Sequence, residues 1–295
     1  MLSTLKIIAF MLGHIPLGLA FLLGDTLGSV AFRLDKKRRK IALDNLDLAY
    51  GSSLSPAGKE AVIKALYRHL FRMLFEFMRI PWLKRESLKG YVECEGEDNL
   101  KDALAKGKGV ILLTAHFGNW ELLGAYMGLN GYTLDVVARE VDNPAFEEFV
   151  KWTRTRCGNR VIYKQRSMRK LLKCLGGNGI ATILLDQNVA HAEGVFVDFF
   201  GTPACTNKNT AALAAAAGAA IVPAFIFREG AGHRLVIRPE IELSDTGDKA
   251  ADSLENTARM TRAIEEMVRR SPQQWFWVHR RWKTRPPEEK KSAQA

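Results

Sequence analysis

From Tyr91 onward, short apolar segments alternate with stretches of helical spacing. The strand-like segments lie near residues 91–94, 109–115, 133–138, 160–163, 180–185, 221–227 and 233–238. Helical patterns fill most of the gaps, near residues 97–106, 119–130, 144–157, 166–175 and 207–217. Repeated strand-helix-strand units predict an α/β fold with a mostly parallel central sheet flanked by helices. The last two strands are separated by EGAG at 229–232, which predicts a hairpin at one edge of the sheet.

The first 24 residues differ in composition from the rest. From Ile7 to Gly24 there is no formal charge, and about 18 residues at about 1.5 Å each give roughly 27 Å of helix, the lower limit for crossing a bilayer. A buried helix of the globular core is the alternative. The basic cluster KKRRK at 36–40 follows, as is typical of the cytoplasmic side of a membrane. We therefore predict an N-terminal hydrophobic membrane-anchoring helix and a body that lies in the cytosol.

No internal repeat or low-complexity linker divides the remainder of the chain. We predict a membrane-anchoring segment at 1–24, one domain at 25–285 and a polar tail at 286–295. Before the alternating region, a helix ends near Gly51, and a second helix runs from Ser55 and Pro56, its cap and first residue, to about Arg79.

Net charge and cysteine spacing limit the partners and the compartment. The chain has 43 Lys and Arg against 32 Asp and Glu, a net charge of +11, which favours nucleic acid, anionic lipid or an acidic protein as partner. Its cysteines are widely spaced and form no CxxC pair or Cys/His cluster, so we expect reduced thiols, no zinc site and a cytosolic body.

The segment GVILLTAHFGNWELLGAYMGL, Gly109 to Leu129, joins a buried strand to a helix across a polar turn. His116 follows the strand, Asn119 can cap the helix, and Glu121 lies in the first helical turn. If the chain folds Glu121 back onto His116, the pair forms a general base. A single loop histidine is more often a surface or core residue, but ligand sites of open α/β sheets gather beyond the carboxyl ends of strands.

Two further strand ends carry polar side chains. Arg139 follows the third strand, and Asp186 and Gln187 follow the fifth. These strand ends are expected to converge on one cleft, where Arg139 would clamp a phosphate and Asp186 would orient it or a catalytic group. A solvated loop charge is the alternative for Arg139.

Aromatic residues are concentrated in two later stretches. Residues 188–207 are predicted to form a long loop, and its Phe196, Phe199 and Phe200 would line an acyl tunnel, touch a bilayer or close the core. The stretch QWFWVHRRWKTRP, Gln274 to Pro286, mixes tryptophans with cations. That mixture suits nucleic-acid stacking, a membrane interface or a phosphate-rich headgroup.

Several separated stretches together resemble one family. TAHFGNWE looks like the His-x-x-x-x-Glu motif of the glycerolipid acyltransferase superfamily. The wider match resembles the bacterial lipid A biosynthesis acyltransferases, the lauroyl and myristoyl transferases, and extends from about Gly24 to Arg285. The stretches that carry it are RRKIALDNLDLAYG, TAHFGNWE, ARE with a later Asn-Pro, LLDQN, VDFFGTPACT, an Ala-rich helix followed by IVPAF, and WFWVHRRWKTRP.

The resemblance implies an acyl donor on acidic acyl carrier protein, a lipid A precursor as acceptor, and anionic inner-membrane lipids around a catalytic domain on the cytoplasmic face. It implies His116 as the general base and Glu121 as the carboxylate that orients it. Substrate-binding residues would be Arg139, Asp186 and Gln187, and we count Asn119 with them. No metal, other cofactor or nucleic acid is expected.

The predicted chemistry is direct transfer. An acceptor hydroxyl must lose a proton as it attacks a thioester, and His116 can accept that proton. The motif contains no Ser or Cys nucleophile, and backbone N–H groups after His116 would stabilise the oxyanion. Two alternatives stay open: an acyltransferase that uses acyl-CoA and another glycolipid or lysophospholipid, and a basic membrane or nucleic-acid binding protein without catalysis.

Overall fold

We describe the protein from a computed structural model, which covers residues 1–163 and 167–287. The helices are α1 (Leu2–Gly13), α2 (Leu17–Leu34), α3 (Lys36–Tyr50), α4 (Pro56–Arg79), α5 (Glu97–Ala105), α6 (Trp120–Leu129), α7 (Pro144–Arg156), α8 (Ser167–Gly176), α9 (Asn209–Ala217) and α10 (Lys249–Arg270). The strands are β1 (Val92–Glu95), β2 (Val110–Thr114), β3 (Leu134–Ala138), β4 (Arg160–Tyr163), β5 (Ile180–Leu184), β6 (Gly194–Phe199), β7 (Thr202–Asn207), β8 (Ala220–Glu229) and β9 (Gly232–Ile237).

The central sheet has the strand order β1-β9-β8-β2-β5-β3-β4. β8, β2, β5, β3 and β4 are mutually parallel neighbours, so the predicted α/β class and mostly parallel sheet are confirmed. β8 and β9 form the predicted antiparallel hairpin. The hairpin is not at the edge, however, because β1 pairs parallel with β9 and extends the sheet beyond it.

Local sequence explains where several helices begin. The Ser55 side chain accepts a hydrogen bond from the Gly58 N–H, and Pro56 occupies the first position of α4, as predicted. The Asp248 carboxylate caps α10 in the same way. No helix was predicted over α10, whose buried side chains nevertheless recur at helical spacing, for example Met260, Ile264 and Met267.

The prediction of a long loop over residues 188–207 is wrong from Gly194 onward. β6 and β7 pair there as an antiparallel hairpin and form a small separate sheet. Phe199 and Phe200 are buried in the main core. Closure of the core is therefore the correct alternative for these two rings.

The N-terminal apolar region is two helices rather than one. The chain breaks at His14–Pro16, so the charge-free run from Ile7 to Gly24 is divided, and the boundary predicted at residue 24 falls inside α2. Within the described residues, α2 is the one helix that is long and apolar enough to cross a membrane, and 22% of it is buried. Of the predicted polar tail, residues 288–295 lie outside the described range.

Glycines bring α2 close to α4. A Cβ atom on Gly28 would lie 2.6 Å from Arg68 Cα, and one on Gly24 would lie 2.9 Å from the Arg72 backbone nitrogen. Only residues without a side chain permit this separation. The opposite face of α2 remains apolar and exposed, with Leu22 63% and Leu27 46% accessible.

The tryptophans of the C-terminal stretch belong to the core. Trp275 and Trp277 are 1% and 0% exposed, and Trp282 is 5% exposed. Arg281 is fully buried, and its guanidinium donates to the Cys205 carbonyl at 2.9 Å. Burial lowers the pKa of Arg281 to about 10. These side chains are therefore not available for nucleic-acid stacking or for a membrane interface.

Candidate active site

Three neighbouring strands bring their carboxyl ends to one edge of the sheet. β2, β5 and β3 are adjacent and parallel, and Thr114 at the end of β2 is level with Leu184 at the end of β5. His116, Asp186 and Arg139 follow these strand ends. The predicted convergence is therefore present, at the position where open α/β sheets bind ligands.

His116 is held by Asp186. Its Nδ1 lies 2.9 Å from Asp186 Oδ1, and its backbone N–H donates to Asp186 Oδ2 at 3.0 Å. A carboxylate without a proton can only accept, so the His116 ring carries its hydrogen on Nδ1. In the neutral imidazole with this tautomer, Nε2 keeps its lone pair, which is the form that a general base requires.

Asp186 stays ionised although it is buried. Burial by itself would raise the pKa of Asp186, but the electrostatic interaction with His116, the hydrogen bonds from the His116 ring and backbone, and the one from the Trp275 indole together hold that pKa below its ordinary value. Trp275 Nε1 donates to Oδ2 at 2.8 Å. The carboxylate is therefore fixed on two sides before any substrate binds.

The other ring nitrogen of His116 faces a mixed polar and aromatic wall. Gln187 Nε2 lies 3.3 Å from His116 Nε2. The Trp120 and Phe276 rings lie 5.1 and 6.1 Å from the imidazole, centroid to centroid. The prediction that Gln187 belongs to the site agrees with this position.

Glu121 does not orient His116. Its carboxylate forms a two-pronged ion pair with Arg154, with Arg154 Nη2 2.6 Å from Oε1 and Nε 3.0 Å from Oε2. Burial would raise the pKa of Glu121, but the charge and hydrogen bonds of Arg154, with smaller effects of Trp120 and His116, together outweigh it and the net shift is downward. The predicted contact fails because Asp186 occupies Nδ1, while the first turn of α6 directs Glu121 toward α7.

Asn119 and Arg139 differ in what they can contact. Asn119 is fully buried: its Oδ1 accepts from the Leu122 N–H at 3.1 Å, and its Nδ2 donates to Glu76 at 2.7 Å. It caps α6 as predicted, but it does not line the cavity, and its burial contradicts the prediction of substrate binding. Arg139 is exposed and lines the cavity.

The turn after His116 is fixed by the C-terminal segment. The Gly118 N–H donates to the Gln274 carbonyl at 2.9 Å, and the Phe276 N–H donates to the His116 carbonyl at 3.0 Å. Gly118 has φ +56°, and a Cβ atom there would lie 1.6 Å from the Ile226 oxygen. No side chain fits at residue 118, so the turn has one conformation.

A buried polar network lies beneath this turn. The carboxylate of Glu76 on α4 accepts hydrogen bonds from Arg228, His233, Tyr91 and Asn119. Burial would raise the pKa of Glu76, but His233 and Arg228 together lower it. His69, on the same helix, contacts the Gly118 carbonyl at 3.0 Å through Nε2. These groups support the turn from below.

A cavity of about 1160 Å³ opens beside His116. Its walls come from several helices and are mostly apolar, including Leu74, Phe77, Leu123, Phe146, Val150 and Leu171, whereas His116, Glu121, Arg139, Arg154 and Gln187 supply polar groups. A large apolar cavity with a few grouped polar side chains is typical of a binding site for a ligand with a long apolar part.

Sequence reasoning missed Arg154 and Trp275 as parts of this site. Arg154 lies in the last turn of α7, 33 positions from its partner, and Trp275 is 89 positions from Asp186. No local pattern links such distant residues. The tryptophan-rich stretch was a visible signal, but its mixture with cations pointed to surface roles.

Comparison with known proteins decides the family. The sequence profile described as bacterial lipid A biosynthesis acyltransferase matches residues 2–284. The chain belongs to this family. It is similar to the lipid A biosynthesis palmitoleoyltransferase of Escherichia coli, 29% identical over 280 residues that cover 92% of this chain and 88% of the relative. It is also similar to the lauroyltransferase of the same organism, 28% identical over 277 residues that cover 92% and 88%.

A further relative has a different lipid in its name. The phosphatidylinositol mannoside acyltransferase of Mycobacterium tuberculosis is 26% identical over 214 residues, which cover 70% of this chain and 66% of the relative. Membership in the lipid A acyltransferase family makes the protein an acyltransferase of lipid A biosynthesis, which implies a lipid A precursor as substrate. The predicted resemblance is thereby confirmed.

Proposed function

We propose that this acyltransferase transfers a fatty acyl chain from acyl carrier protein to a hydroxyl group of a lipid A precursor, with His116 as the general base. The supporting observation is the hydrogen bond between His116 Nδ1 and Asp186, which makes Nε2 the proton-accepting nitrogen of the neutral ring at the cavity. Asp186, rather than Glu121, is the carboxylate that orients the base. Its role resembles that of the acidic member of a catalytic triad.

Transfer proceeds in one displacement through a tetrahedral intermediate. The acceptor hydroxyl attacks the thioester carbonyl while its proton moves to His116 Nε2. The new ester C–O bond forms, the C–S bond breaks, and the protonated imidazole returns the proton to the departing thiolate. Among the described residues, the side chains hydrogen-bonded to the His116 ring are those of Asp186 and Gln187. Neither a serine nor a cysteine is activated there, so the acyl chain is transferred without an acyl-enzyme.

The oxyanion requires hydrogen-bond donors at the reacting carbonyl. The first N–H groups of the turn are already used, because Phe117 donates to the Ala115 carbonyl at 2.7 Å and Gly118 donates to the Gln274 carbonyl. These N–H groups, which the sequence predicted as donors to the oxyanion, are therefore occupied by hydrogen bonds within the protein. The Gln187 side-chain amide, 3.3 Å from His116 Nε2, is the donor that we assign to the oxyanion instead.

Charge supports an acidic carrier as the acyl donor. The chain has a net charge of +11, and opposite charge accelerates the encounter between proteins. Arg139, exposed at the cavity, would contact phosphate on the donor or on the acceptor. The exposed apolar faces of α1 and α2 and the following basic cluster favour attachment to anionic lipids on the cytoplasmic face of the inner membrane.

A second candidate acceptor is another glycolipid. The similarity to a phosphatidylinositol mannoside acyltransferase favours it, because that relative acylates a different phosphate-bearing glycolipid. The reaction centre would be unchanged, and the donor would be acyl-CoA or acyl carrier protein. The acceptor therefore has to be tested separately from the chemistry.

The test combines purified protein with lipid A precursor and with phosphatidylinositol mannoside, each with acyl carrier protein and CoA donors, and follows product mass. We expect His116→Ala to lower kcat by at least about a thousandfold while unfolding and membrane attachment remain unchanged. His191→Ala, an exposed histidine outside the cavity lining, is the matched control. Near-normal turnover by His116→Ala would exclude the general-base assignment.

A further inference from the structure

An open groove of about 530 Å³ lies on the other side of α4 from the acyl cavity. We call it the cationic groove. It is bounded by α2, α4, the turn between β8 and β9, and residues 273–274, and its charged lining residues are Asp25, Lys64, Arg68, Arg72 and Arg228. On the cavity side, α4 contributes Leu70, Leu74 and Phe77. The helix thus separates the groove from the reaction centre.

Two of the arginines are neutralised within the protein. Arg72 forms a two-pronged ion pair with Asp25, in which both N–O distances are 2.5 Å. Arg228 pairs with the buried Glu76, with Nη1 2.9 Å from Oε1. Both guanidinium groups also lie 5.1 Å from the Phe21 ring centroid. These two arginines are held in place at the base of the groove, and Asp25 and Glu76 balance their positive charges.

Two positive charges remain at the mouth of the groove. Lys64 and Arg68 are exposed and lie one helical turn apart on α4, so they are on the same face. Within the described ranges, neither is paired with a carboxylate. Arg68 Nε donates to Ser29 Oγ at 2.9 Å, which holds the side chain in place and leaves its terminal amino groups to bind a ligand.

The groove is built like a site for a phosphate group. A fixed guanidinium fork and a neighbouring ammonium group match the oxygens of a phosphate. The amide side chains of Gln273 and Gln274 also line the groove. Because Asp25 and Glu76 balance only Arg72 and Arg228, an anion would balance the charges of Lys64 and Arg68.

The surrounding surface indicates where the phosphate comes from. α2 lines the groove through Asp25, while the exposed face of the same helix carries Leu22, Leu27 and Val30. If that face enters the outer part of a bilayer, the groove lies at the depth of the lipid headgroups. Basic pockets beside membrane-inserted helices bind anionic headgroups in this arrangement.

We propose that the cationic groove binds the phosphate of an anionic lipid headgroup, separately from the acyl donor and acceptor. The phosphate would bridge Lys64 and Arg68 and thereby hold α2 and α4 at the membrane surface. The membrane as the source of the phosphate rests on the proposed inner-membrane location. The binding of an anion in the groove does not rest on that location, because it depends only on the side chains that line the groove.

The experiment measures lipid retention on the full-length protein without donor or acceptor. Protein from nanodiscs of phosphatidylglycerol and phosphatidylcholine is analysed by native mass spectrometry, with and without inorganic phosphate. We expect wild type to retain phosphatidylglycerol, and the double variant Lys64→Gln/Arg68→Gln to retain it at least about tenfold less, because it removes both positive charges at the mouth of the groove. Arg68→Lys should lose part of the effect.

The matched control is Lys89→Gln/Lys108→Gln, which removes the same charge from two exposed positions outside the lining of both cavities and outside the basic cluster at 36–40. Equal retention by wild type and the groove variant would overturn the proposal, as would an equal loss in the control, which would indicate non-specific attraction. Displacement of the lipid by inorganic phosphate supports a phosphate site. Binding of inorganic phosphate without selective lipid retention would overturn the lipid as its source. None of these results depends on acyl transfer, which the His116 variant tests independently.

Discussion

At the scale of single residues, the two carboxylates near His116 have different partners and should have different functions. Asp186→Asn would present an amide to Nδ1 and remove the acceptor that fixes the tautomer of His116. We expect kcat to fall by about a hundredfold to ten-thousandfold, with a smaller change in KM. Steady-state kinetics with a lipid A precursor would measure this effect.

The matched comparison is Glu121→Gln. It removes half of the ion pair with Arg154, which is buried beside the cavity, so we expect a loss of stability of about 2–4 kcal/mol and a smaller fall in kcat than for Asp186→Asn. If Glu121→Gln proved the more damaging of the two for kcat, with folding intact, the orientation of the base by Asp186 would be wrong.

Buried His69 should make stability depend on pH. Burial and the neighbouring Arg228 lower its pKa from 6.5 to about 3. Between these values the unfolded chain binds one more proton than the folded chain, so the free energy of unfolding falls as pH falls. The full contribution of neutral His69 is present above about pH 7. It decreases by about 1.4 kcal/mol per pH unit toward pH 3.

His69→Gln removes this titration and keeps a side chain that can donate to the Gly118 carbonyl. Urea unfolding in detergent between pH 5 and 6.5 measures how the free energy of unfolding depends on pH. In the variant this dependence should be weaker by up to about 1.4 kcal/mol per pH unit, which corresponds to about one proton. His233 and His279, whose pKa values are also lowered, remain and account for a residual slope. An unchanged slope in the variant would mean that His69 titrates normally in the folded protein.

Sequence alone predicted that His116, Asp186 and Gln187 lie close together, because residues after adjacent parallel strands meet at one edge of the sheet. It misassigned Glu121 because the five-residue spacing from His116 does not specify which way the first helical turn faces. That direction is set by Arg154, which lies on another helix. Asn119 was recognised as a helix cap, but its burial depends on Glu76, a residue that no nearby pattern connects to it.

At the scale of elements, the contact between α2 and α4 should be sensitive to side-chain size. A Cβ atom on Gly28 would lie within 2.8 Å of three α4 backbone atoms. We expect Gly28→Val to push α2 away and to lower the free energy of unfolding by about 1–3 kcal/mol. Gly18→Val is the control, because its Cβ position is open. Equal unfolding midpoints for the two variants would contradict the close approach.

The parallel core was predictable because each of its strands is a short apolar segment between helical patterns. β6 and β7 were not, because they form a separate two-stranded sheet, and Phe199 of β6 packs against the C-terminal Trp275 and Trp282 rather than against a neighbouring strand of the central sheet. The position of β1 beyond β9 was also not predictable. It depends on pairing between segments about 140 residues apart, and periodicity contains no information about such a pairing.

At the scale of the whole molecule, the apolar N-terminus is both a structural layer and an exposed surface. α1 and α2 cover α4 through Ala9, Ala20, Gly24 and Gly28, which are buried. Deletion of residues 1–24 would therefore uncover α4 and destabilise the protein, besides removing an anchor. Membrane attachment is better tested by changing the outward face of α2 alone.

Leu22→Asn/Leu27→Asn changes only outward side chains, which are 63% and 46% exposed. If this face enters a bilayer, each leucine contributes about 1–2 kcal/mol to attachment, so the double variant should bind anionic vesicles at least about thirtyfold more weakly in a flotation assay. Leu48→Asn/Leu254→Asn, at 42% and 45% exposure on α3 and α10, is the control and should bind like wild type. Because the substituted side chains point away from α4, the unfolding midpoint should change little, and unchanged flotation of the α2 variant would show that another surface attaches the protein to the membrane.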